Sequence, residues 1–402
     1  MKFRQLADTP RIRNILSWVV AVAAVAMAAK LQAAPRTPES DAVILERLPF
    51  RAGDSGAREL TSLRTAVASA PADPEPAAQL AQHYYDLAIA RGDPRYVGYA
   101  QAVVSRFSGP LPPSLLTTRG MLRQYRHDFD AALTDFADAL AQDPEFASAH
   151  AWRAAIYLVQ ANYADARKEC DALQRLRRSV LLGGCSGLVQ AYTGQLEGAY
   201  QALQLALGAA SDVDQRLWLL TRLGEVAAWR GQAALAERHF RGALSLGRDD
   251  GYLLAAWTDF LLDNGRPKEV VKQLAGWESS DGLLLRLAEA EAVLKLPDAS
   301  RHTQVLGDRF AAAKMRGDTT HRAEEARYQL HLRNDPQLAL RLAAENYRVQ
   351  REPRDARILL EAAIAAKDAI GAQAARDWLR TSGFEDPRWR RLGQQSALAG
   401  AR

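Results

Sequence analysis

The sequence is poor in the residues that build β-sheets and in the motifs that carry common chemistries. Aromatic residues make up only 7% of the 402 residues, and Val, Ile and Thr are too scattered to build a large sheet. It has no phosphate-binding loop, no dinucleotide-binding glycine motif and no zinc-finger spacing. Alanine and leucine dominate, and apolar residues recur three and four positions apart along most of the chain. This pattern predicts an all-α protein and gives no specific reason to propose an enzyme, a metal or a cofactor.

The N-terminus has the order of a secretory signal peptide. Basic residues precede an apolar run from Ile15 to Ala29, and small residues follow it. As a helix this run spans about 22 Å, less than the hydrocarbon core of a bilayer, which is about 30 Å thick. We therefore predict a signal peptide over residues 1–33, cleaved after Ala33, that exports the chain to the periplasm. Leu31 suits the upstream recognition position poorly, so an uncleaved inner-membrane anchor facing the periplasm remains the alternative.

The net charge of +5 belongs largely to this leader. Residues 1–33 hold five of the 52 basic residues and one of the 47 acidic residues, which leaves 47 basic against 46 acidic in the remainder. A nearly neutral chain has no broad field to attract nucleic acid, so we expect no nucleic-acid partner. Membrane association is expected only if the N-terminal segment is uncleaved.

A period of about 34 residues runs through the middle of the chain. The stretch LGEVAAWRGQAALAERHFRGA aligns with four neighbours, and the first small residue of each unit falls at Gly120, Ala154, Gly187, Gly224 and Thr258. The spacings are 34, 33, 37 and 34 residues. In this register the small residue lets two antiparallel helices approach closely, and a glycine near the fifteenth position makes the turn between them. The 37-residue unit predicts an enlarged turn over residues 208–216.

Residues 113–278 resemble the tetratricopeptide repeat family in this period and in the small–aromatic–small pattern of Ala236, Phe240 and Ala243. The resemblance implies a right-handed α-solenoid of some seven helix pairs, in which stacked units bury a continuous core. The early tryptophan common in the family is absent, and its closing proline survives only at Pro144, so the repeats are divergent.

Weaker helical patterns flank the repeats on both sides. The predicted organisation is a signal peptide (1–33), a flexible arm (34–56), an N-terminal helical region (57–112), core repeats (113–278), a C-terminal repeat-like helical region (279–392) and a disordered tail (393–402).

Arrays of this family bind partners along a concave face lined by the first helix of each pair, here called the helix-A face. The register places on that face several aromatic residues of the kind that anchor protein interfaces, and we expect about half of them to be exposed. The acidic residues between them, including Asp263, favour a basic or amine-bearing partner segment. The predicted groove residues are Met121, Tyr125, Tyr192, Trp218, Glu225, Trp229, Tyr252 and Asp259.

These features predict an exported scaffold or adaptor, rather than an enzyme, that binds a protein or peptide of the cell envelope through the helix-A face. Segments 316–327 and 346–363 are similar to exported bacterial tetratricopeptide proteins of unassigned activity, which implies the same compartment. Aromatic grooves also stack sugars, so a carbohydrate- or peptidoglycan-binding module is an alternative.

A second alternative is an enzyme that uses a polar group near residue 321. His321 and Glu324 could share one helical face with Glu325, beside Asp318. The simpler interpretation is that the two glutamates favour the first turn of their helix and pair with nearby arginines. No pair of the seven histidines has metal-ligand spacing, so we expect no metal site.

The two cysteines, Cys170 and Cys185, fall late in one second helix and early in the following first helix. Adjacent antiparallel helices could bring them to bridging distance, and an exported chain would meet oxidising conditions. A disulfide and a pair of buried free thiols both remain open. The stretch GGCSG around Cys185 has the spacing of a nucleophile elbow, but the register places it inside a helix, where small residues allow close packing.

Overall fold

The computed structural model describes residues 55–399, so the predicted signal peptide and nearly all of the predicted flexible arm lie outside the described residues. The chain divides into two compact units, Met1–Arg58 and Glu59–Arg402. All of the described residues belong to the second unit, apart from the first turn of the first helix.

The described residues form twenty α-helices and no strand, which confirms the all-α prediction. The first and last helices stand singly, and the other eighteen form nine antiparallel hairpins, two more than the sequence predicts. In chain order the helices are α1 Ser55–Ser69, α2 Pro74–Arg91, α3 Arg95–Val104, α4 Pro113–Tyr125, α5 Phe129–Gln142, α6 Ala147–Val159, α7 Tyr163–Arg175, α8 Ser179–Tyr192, α9 Leu196–Ala209, α10 Val213–Trp229, α11 Ala233–Leu244, α12 Gly251–Asp263, α13 Pro267–Leu274, α14 Asp281–Leu294, α15 Asp298–Met315, α16 Arg322–His331, α17 Pro336–Tyr347, α18 Pro353–Ala366, α19 Gln373–Ser382 and α20 Pro387–Ala397.

The turn inside the hairpin has the same backbone feature in all five core units. One residue between the two helices has a positive φ in every unit: His127, Ala161, Gly194, Gly231 and Gly265. A left-handed residue ends a helix and reverses the chain, and glycine adopts this conformation at the least cost. The first two units use histidine and alanine there, which agrees with the divergence of these repeats.

The small residues of the first helices are close-packing positions, as the sequence predicts. A Cβ added to Gly120 would lie 2.5 Å from the ring of Phe136, and one added to Gly224 would lie 2.8 Å from the ring of Phe240. Both phenylalanines are at most 1% exposed, and each belongs to the second helix of the same hairpin. The glycines therefore set the distance between the paired helices.

Replacing Gly224 by alanine should lower the free energy of unfolding by about 1–3 kcal/mol, because the buried ring of Phe240 has no room to move away. Gly242 is the matched control in the same hairpin, since its added Cβ would meet nothing closer than 3.7 Å. Gly242→Ala should be neutral or stabilising by up to about 1 kcal/mol through helix propensity. Chemical denaturation measures both, and equal effects of the two substitutions would contradict the packing role.

Two sequence expectations about chain segments are wrong. The 37-residue unit has no enlarged turn, since α9 ends at Ala209 and α10 begins at Val213; its extra residues lengthen α10 to 17 residues. The tail predicted to be disordered from residue 393 continues the last helix to Ala397, and Ser396 is fully buried. Packing against neighbouring helices decides both outcomes.

Buried apolar residues form three clusters along the described chain. One covers the helices before residue 160, a second runs from α6 to α16, and the third, the C-terminal cluster, extends from Ala326 to Trp389. Two residues of the repeats, Ala161 and Trp229, pack against the C-terminal cluster, and α16 contributes Ala326 to this cluster and Tyr328 to the second one. Among residues 55–399 no helix has the length and apolar character needed to cross a membrane.

The structure joins Cys170 of α7 to Cys185 of α8 in a disulfide, with 5.6 Å between the two Cα atoms. Both residues are buried, at 4% and 8% exposure. The GGCSG stretch lies within α8, so it is helical and Cys185 is not a free nucleophile.

We expect intact-mass spectrometry of the native protein to show the loss of two hydrogens relative to the reduced chain. The disulfide closes a loop of 15 residues, so the Cys170→Ser, Cys185→Ser double variant should lose about 2–3 kcal/mol of stability by restoring unfolded-state entropy. Two alkylatable thiols in exported protein purified without reductant would contradict the bridge.

Candidate partner-binding groove

The helix-A face is built from the first helices α4, α6, α8, α10 and α12, and the predicted groove residues differ widely in how accessible they are. Met121 and Tyr192 are buried in the core, at 1% and 3% exposure. Tyr125, Trp229 and Tyr252 are half-buried. Of the predicted aromatic residues only Trp218 is exposed, at 37%, so fewer are accessible than the half expected from the register.

The structure brings the exposed Trp218 together with residues of the neighbouring first helices. Its ring lies over Gly184 of the neighbouring first helix, where an added Cβ would be 2.7 Å from the indole. The guanidinium of Arg222 is 5.5 Å from the Trp218 ring centroid and 4.3 Å from that of Tyr252. Leu181 lies at the same repeat position of α8, the preceding first helix, and is 38% exposed. We call Leu181, Gly184, Trp218, Arg222 and Tyr252 the Trp218 cluster.

The charges beneath the Trp218 cluster are paired within the chain. Arg222 donates to Glu225 over 2.9 Å and also to the hydroxyl of Tyr252, which donates to Glu225 over 2.7 Å. Burial acts to lower the pKa of Arg222, but Tyr252 and Glu225 outweigh it and raise that pKa above its usual range. Glu225 therefore orients Arg222 and Tyr252, and is not free to attract a basic partner.

Asp259 is also neutralised by the chain itself, and the sequence expectation of an acidic surface there is wrong. Arg286 donates to its two carboxylate oxygens over 2.9 and 2.6 Å, and Arg327 donates over 2.7 Å. Arg327 makes two further hydrogen bonds with Glu289, of 2.7 and 2.6 Å. Burial acts to raise the pKa of Asp259, but the two guanidinium groups outweigh it and hold the pKa far below its usual range.

Residues from the C-terminal part of the chain cover two further predicted groove residues, Tyr192 and Trp229. Tyr192 donates from its hydroxyl to Glu352 over 3.3 Å. The ring of Trp229 lies 5.4 Å from that of Phe384, centroid to centroid. These contacts span more than 150 residues of sequence, and no local pattern in the chain predicts them.

The predicted polar group at residue 321 is divided between two sides of α16. His321 occupies the N-cap position of the helix without a side-chain capping hydrogen bond, and together with Arg354 it acts electrostatically on Glu324. Burial acts to raise the pKa of Glu324, but these positive charges lower it overall. Glu325 lies beside Lys314, Arg322 and Glu345 instead, and burial raises its pKa. The two glutamates thus do not form one acid–base pair.

Asp318 accepts a hydrogen bond from the backbone N–H of Thr320, and its pKa is lowered although burial acts to raise it. Burial raises the pKa of Tyr125, and the negative charges of Asp318 and Glu324 add to this effect. Within residues 55–399 no three His, Cys, Asp or Glu side chains are grouped as a metal site requires.

Two residues that organise this face are missed by the sequence reasoning. Arg222 has only its spacing of three residues from Glu225 as a signal, and that spacing is common on helix surfaces. Tyr163 accepts a hydrogen bond of 2.7 Å from the indole of Trp378, 215 residues away, and nothing in the sequence links the two.

No protein-family model matches the chain, and no curated protein matches it. Among solved structures, a tetratricopeptide repeat protein from Parabacteroides merdae ATCC 43184 is similar, with 15% identity and a TM-score of 0.41 over 58% of this chain and 91% of that one. The TPR domain of P58(IPK) shares 16% identity, with a TM-score of 0.22 over 78% of this chain and 94% of that one. These likenesses concern the fold alone. The all-α repeat assignment rests on the helical hairpins and periodic turns of the chain itself.

Proposed function

We propose that the protein is an exported, non-catalytic helical-repeat scaffold that binds a protein or peptide partner of the cell envelope through the Trp218 cluster. The observation that carries the proposal is the exposed indole of Trp218, held between Gly184 and the guanidinium of Arg222. Tryptophan and arginine are the residues that most often dominate binding energy in protein interfaces. A fixed ring also loses little side-chain entropy when a partner covers it.

The chemistry of the Trp218 cluster favours an apolar or aromatic side chain of the partner over a basic one. Arg222 and Glu225 form an ion pair, so Glu225 is not an unpaired carboxylate that would bind a cation of the partner. The exposed surfaces of Trp218 and Leu181 supply the apolar contact. This changes the sequence expectation from an amine-bearing partner to one with an apolar anchor.

Export rests on the signal-like N-terminus, and the buried disulfide supports it, because such bridges form and persist in oxidising compartments. Fractionation of cells that make a tagged full-length chain tests it. Recovery in the periplasmic fraction of a chain shortened by the leader supports cleavage, and recovery in the inner membrane at full length supports the anchor. Recovery in the cytoplasm would refute export.

The experiment for the binding site compares envelope proteins captured by wild type and by Trp218→Ala. We expect the variant to lose about 2 kcal/mol of binding free energy, or roughly a 30-fold weaker Kd, as for a central interface tryptophan. Leu205→Ala is the control, since Leu205 is 78% exposed on a second helix outside the cluster. Equal capture by all three proteins would show that the cluster is not the binding site.

A flat, exposed indole also stacks on sugar rings, so the carbohydrate alternative makes its own prediction at the same residue. Binding of wild type, but not of Trp218→Ala, to peptidoglycan fragments on a glycan array would favour that alternative. Binding to a purified envelope protein without glycan would favour the scaffold.

A further inference from the structure

The chain's own last three helices cover part of the helix-A face, at the C-terminal ends of the first helices. Helices α18–α20, residues 353–397, here called the C-terminal segment, reach back to repeats that precede them by 94 to 215 residues. The contacts converge on the ends of successive first helices and on the turns that follow them. This part of the face is therefore covered by the chain itself.

Asp263, the last residue of α12, is the centre of this contact. Arg357 donates to its two carboxylate oxygens over 2.9 and 2.7 Å, and Arg388 donates over 2.7 Å. The Asp263 side chain is only 14% exposed. A helix C-terminus carries partial negative charge, so a carboxylate placed there binds cations more strongly than a carboxylate elsewhere on the surface.

Directed polar contacts fix the segment at two further points. The indole of Trp378 donates to the hydroxyl of Tyr163 over 2.7 Å. The carboxylate of Glu385 accepts from the backbone N–H of Leu196 over 2.8 Å, at the start of α9. Each group docks on a side chain or a helix end, which is how a bound peptide is held by a repeat protein.

Aromatic rings of the segment form part of the C-terminal cluster. Trp378, Phe384 and Trp389 pack on one another, with ring centroids 5.3 and 5.8 Å apart. They belong to the C-terminal cluster, which is separate from the core of the repeats. The cluster also includes Ala339, Ala343 and Tyr347 of α17, so the segment stays packed on α17. Apolar contact between this cluster and the repeats includes Trp229 against Phe384, and we infer that the segment and α17 move away from the face together, without exposing the interior of the repeats.

We propose that the C-terminal segment is a reversible, built-in occupant of the helix-A face, held at Asp263 by an arginine pair. In the docked state it covers Tyr163, Trp229 and Asp263. A partner that uses this end of the face must displace the segment and present cationic side chains to Asp263. The inference does not depend on the exposed indole of Trp218, although Arg354 of the segment acts electrostatically on Tyr252 of the Trp218 cluster.

The test uses the full-length chain and two readouts, amide hydrogen exchange and hydroxyl-radical footprinting of Tyr163 and Trp229. In the Arg357→Glu, Arg388→Glu variant we expect amides of residues 353–397 to exchange about tenfold faster or more, because two charge-assisted hydrogen-bonding partners are lost. Footprinting of Tyr163 and Trp229 should rise with it. Amides of residues 113–142 should keep the wild-type rate.

Two further proteins make the result specific. Adding Asp263→Arg to that variant reverses the charge on both sides of the contact, so opposite charges face each other again and slow exchange should return. Arg390→Glu with Arg391→Glu applies the same charge change to exposed arginines of the same segment and should behave as wild type. Exchange that rises equally in residues 113–142 and 353–397 would show one cooperative array and overturn the proposal. Unchanged footprinting, or no restoration by Asp263→Arg, would also overturn it.

Discussion

Replacing Phe384 by alanine should lower the free energy of unfolding by about 3–5 kcal/mol, the range for removing a buried phenylalanine. The Phe384 ring is 1% exposed and lies 5.3–5.8 Å, centroid to centroid, from the rings of Trp378, Trp229 and Trp389. Its loss opens a cavity where the C-terminal cluster meets the repeats. Denaturant unfolding followed by tryptophan fluorescence measures the effect, because three tryptophans surround the site.

Phe384→Leu is the matched control and should cost less, since it keeps most of the apolar volume. If the cavity is local, the first unfolding transition should be that of residues 326–397, with the disulfide-linked repeats unfolding later. A loss below about 1 kcal/mol in Phe384→Ala would mean that the ring does not join the two clusters.

Replacing Asp259 by alanine should cost about 3–4 kcal/mol at neutral pH, the lower part of the range for breaking a buried ion pair, because the Asp259 side chain is 30% exposed. The substitution leaves the Arg286 guanidinium, only 12% exposed, with one remaining partner, the carbonyl oxygen of Gly282. Arg327 keeps Glu289. Asp259→Asn, which keeps the shape and part of the hydrogen bonding, should fall between wild type and Asp259→Ala.

The cost of Asp259→Ala should shrink in acid, and the pKa shift fixes the direction. The pKa of Asp259 is lower in the folded protein than in the unfolded chain, so its ionised form stabilises the fold above the unfolded pKa, near 4. This contribution is lost as the pH falls below about 4. The difference in unfolding free energy between wild type and variant should therefore be equal at pH 7 and 5 and begin to narrow at pH 3, where most of it should remain because the folded pKa lies far below 4. A difference that stays constant from pH 7 to 3 would show that Asp259 acts through packing alone.

Glu361 should add to the acid sensitivity of the C-terminal cluster. Burial acts to raise its pKa, but His331 and Arg357 lower it to about 2. Its ionised form therefore stabilises the fold above the unfolded pKa, and that stability is lost as the pH falls from about 4.5 toward 2.

The fold was largely predictable because its signals are local. The period set by Gly120, Gly187 and Gly224 recurs in the structure as contacts between a small residue and the side chain 16 positions later. Such contacts lie within one hairpin, so sequence spacing translates directly into geometry. The length of α10 and the end of α20 were not predictable, since packing against neighbouring hairpins decides where a helix stops.

The candidate site was only partly predictable. The register identified Trp218, Tyr252 and Glu225 as neighbours on one face, and the structure brings them together around Arg222. The same register placed Tyr192 and Trp229 on that face but could not show that Glu352 and Phe384 cover them. A repeat pattern describes contacts between adjacent units, and these contacts join units far apart in the chain.

The sequence by itself determined the helical hairpins, their period and the residues that pack inside each one, because these depend on spacings of three to 37 residues. Only the tertiary structure decided which face residues remain open. That outcome depends on where the ninth hairpin and the final helix dock, and ion pairs such as Arg357–Asp263 and Arg388–Asp263 form only when residues 94 and 125 positions apart meet. No local pattern encodes such a meeting, so the groove read from the repeats is wider than the one the folded chain leaves open.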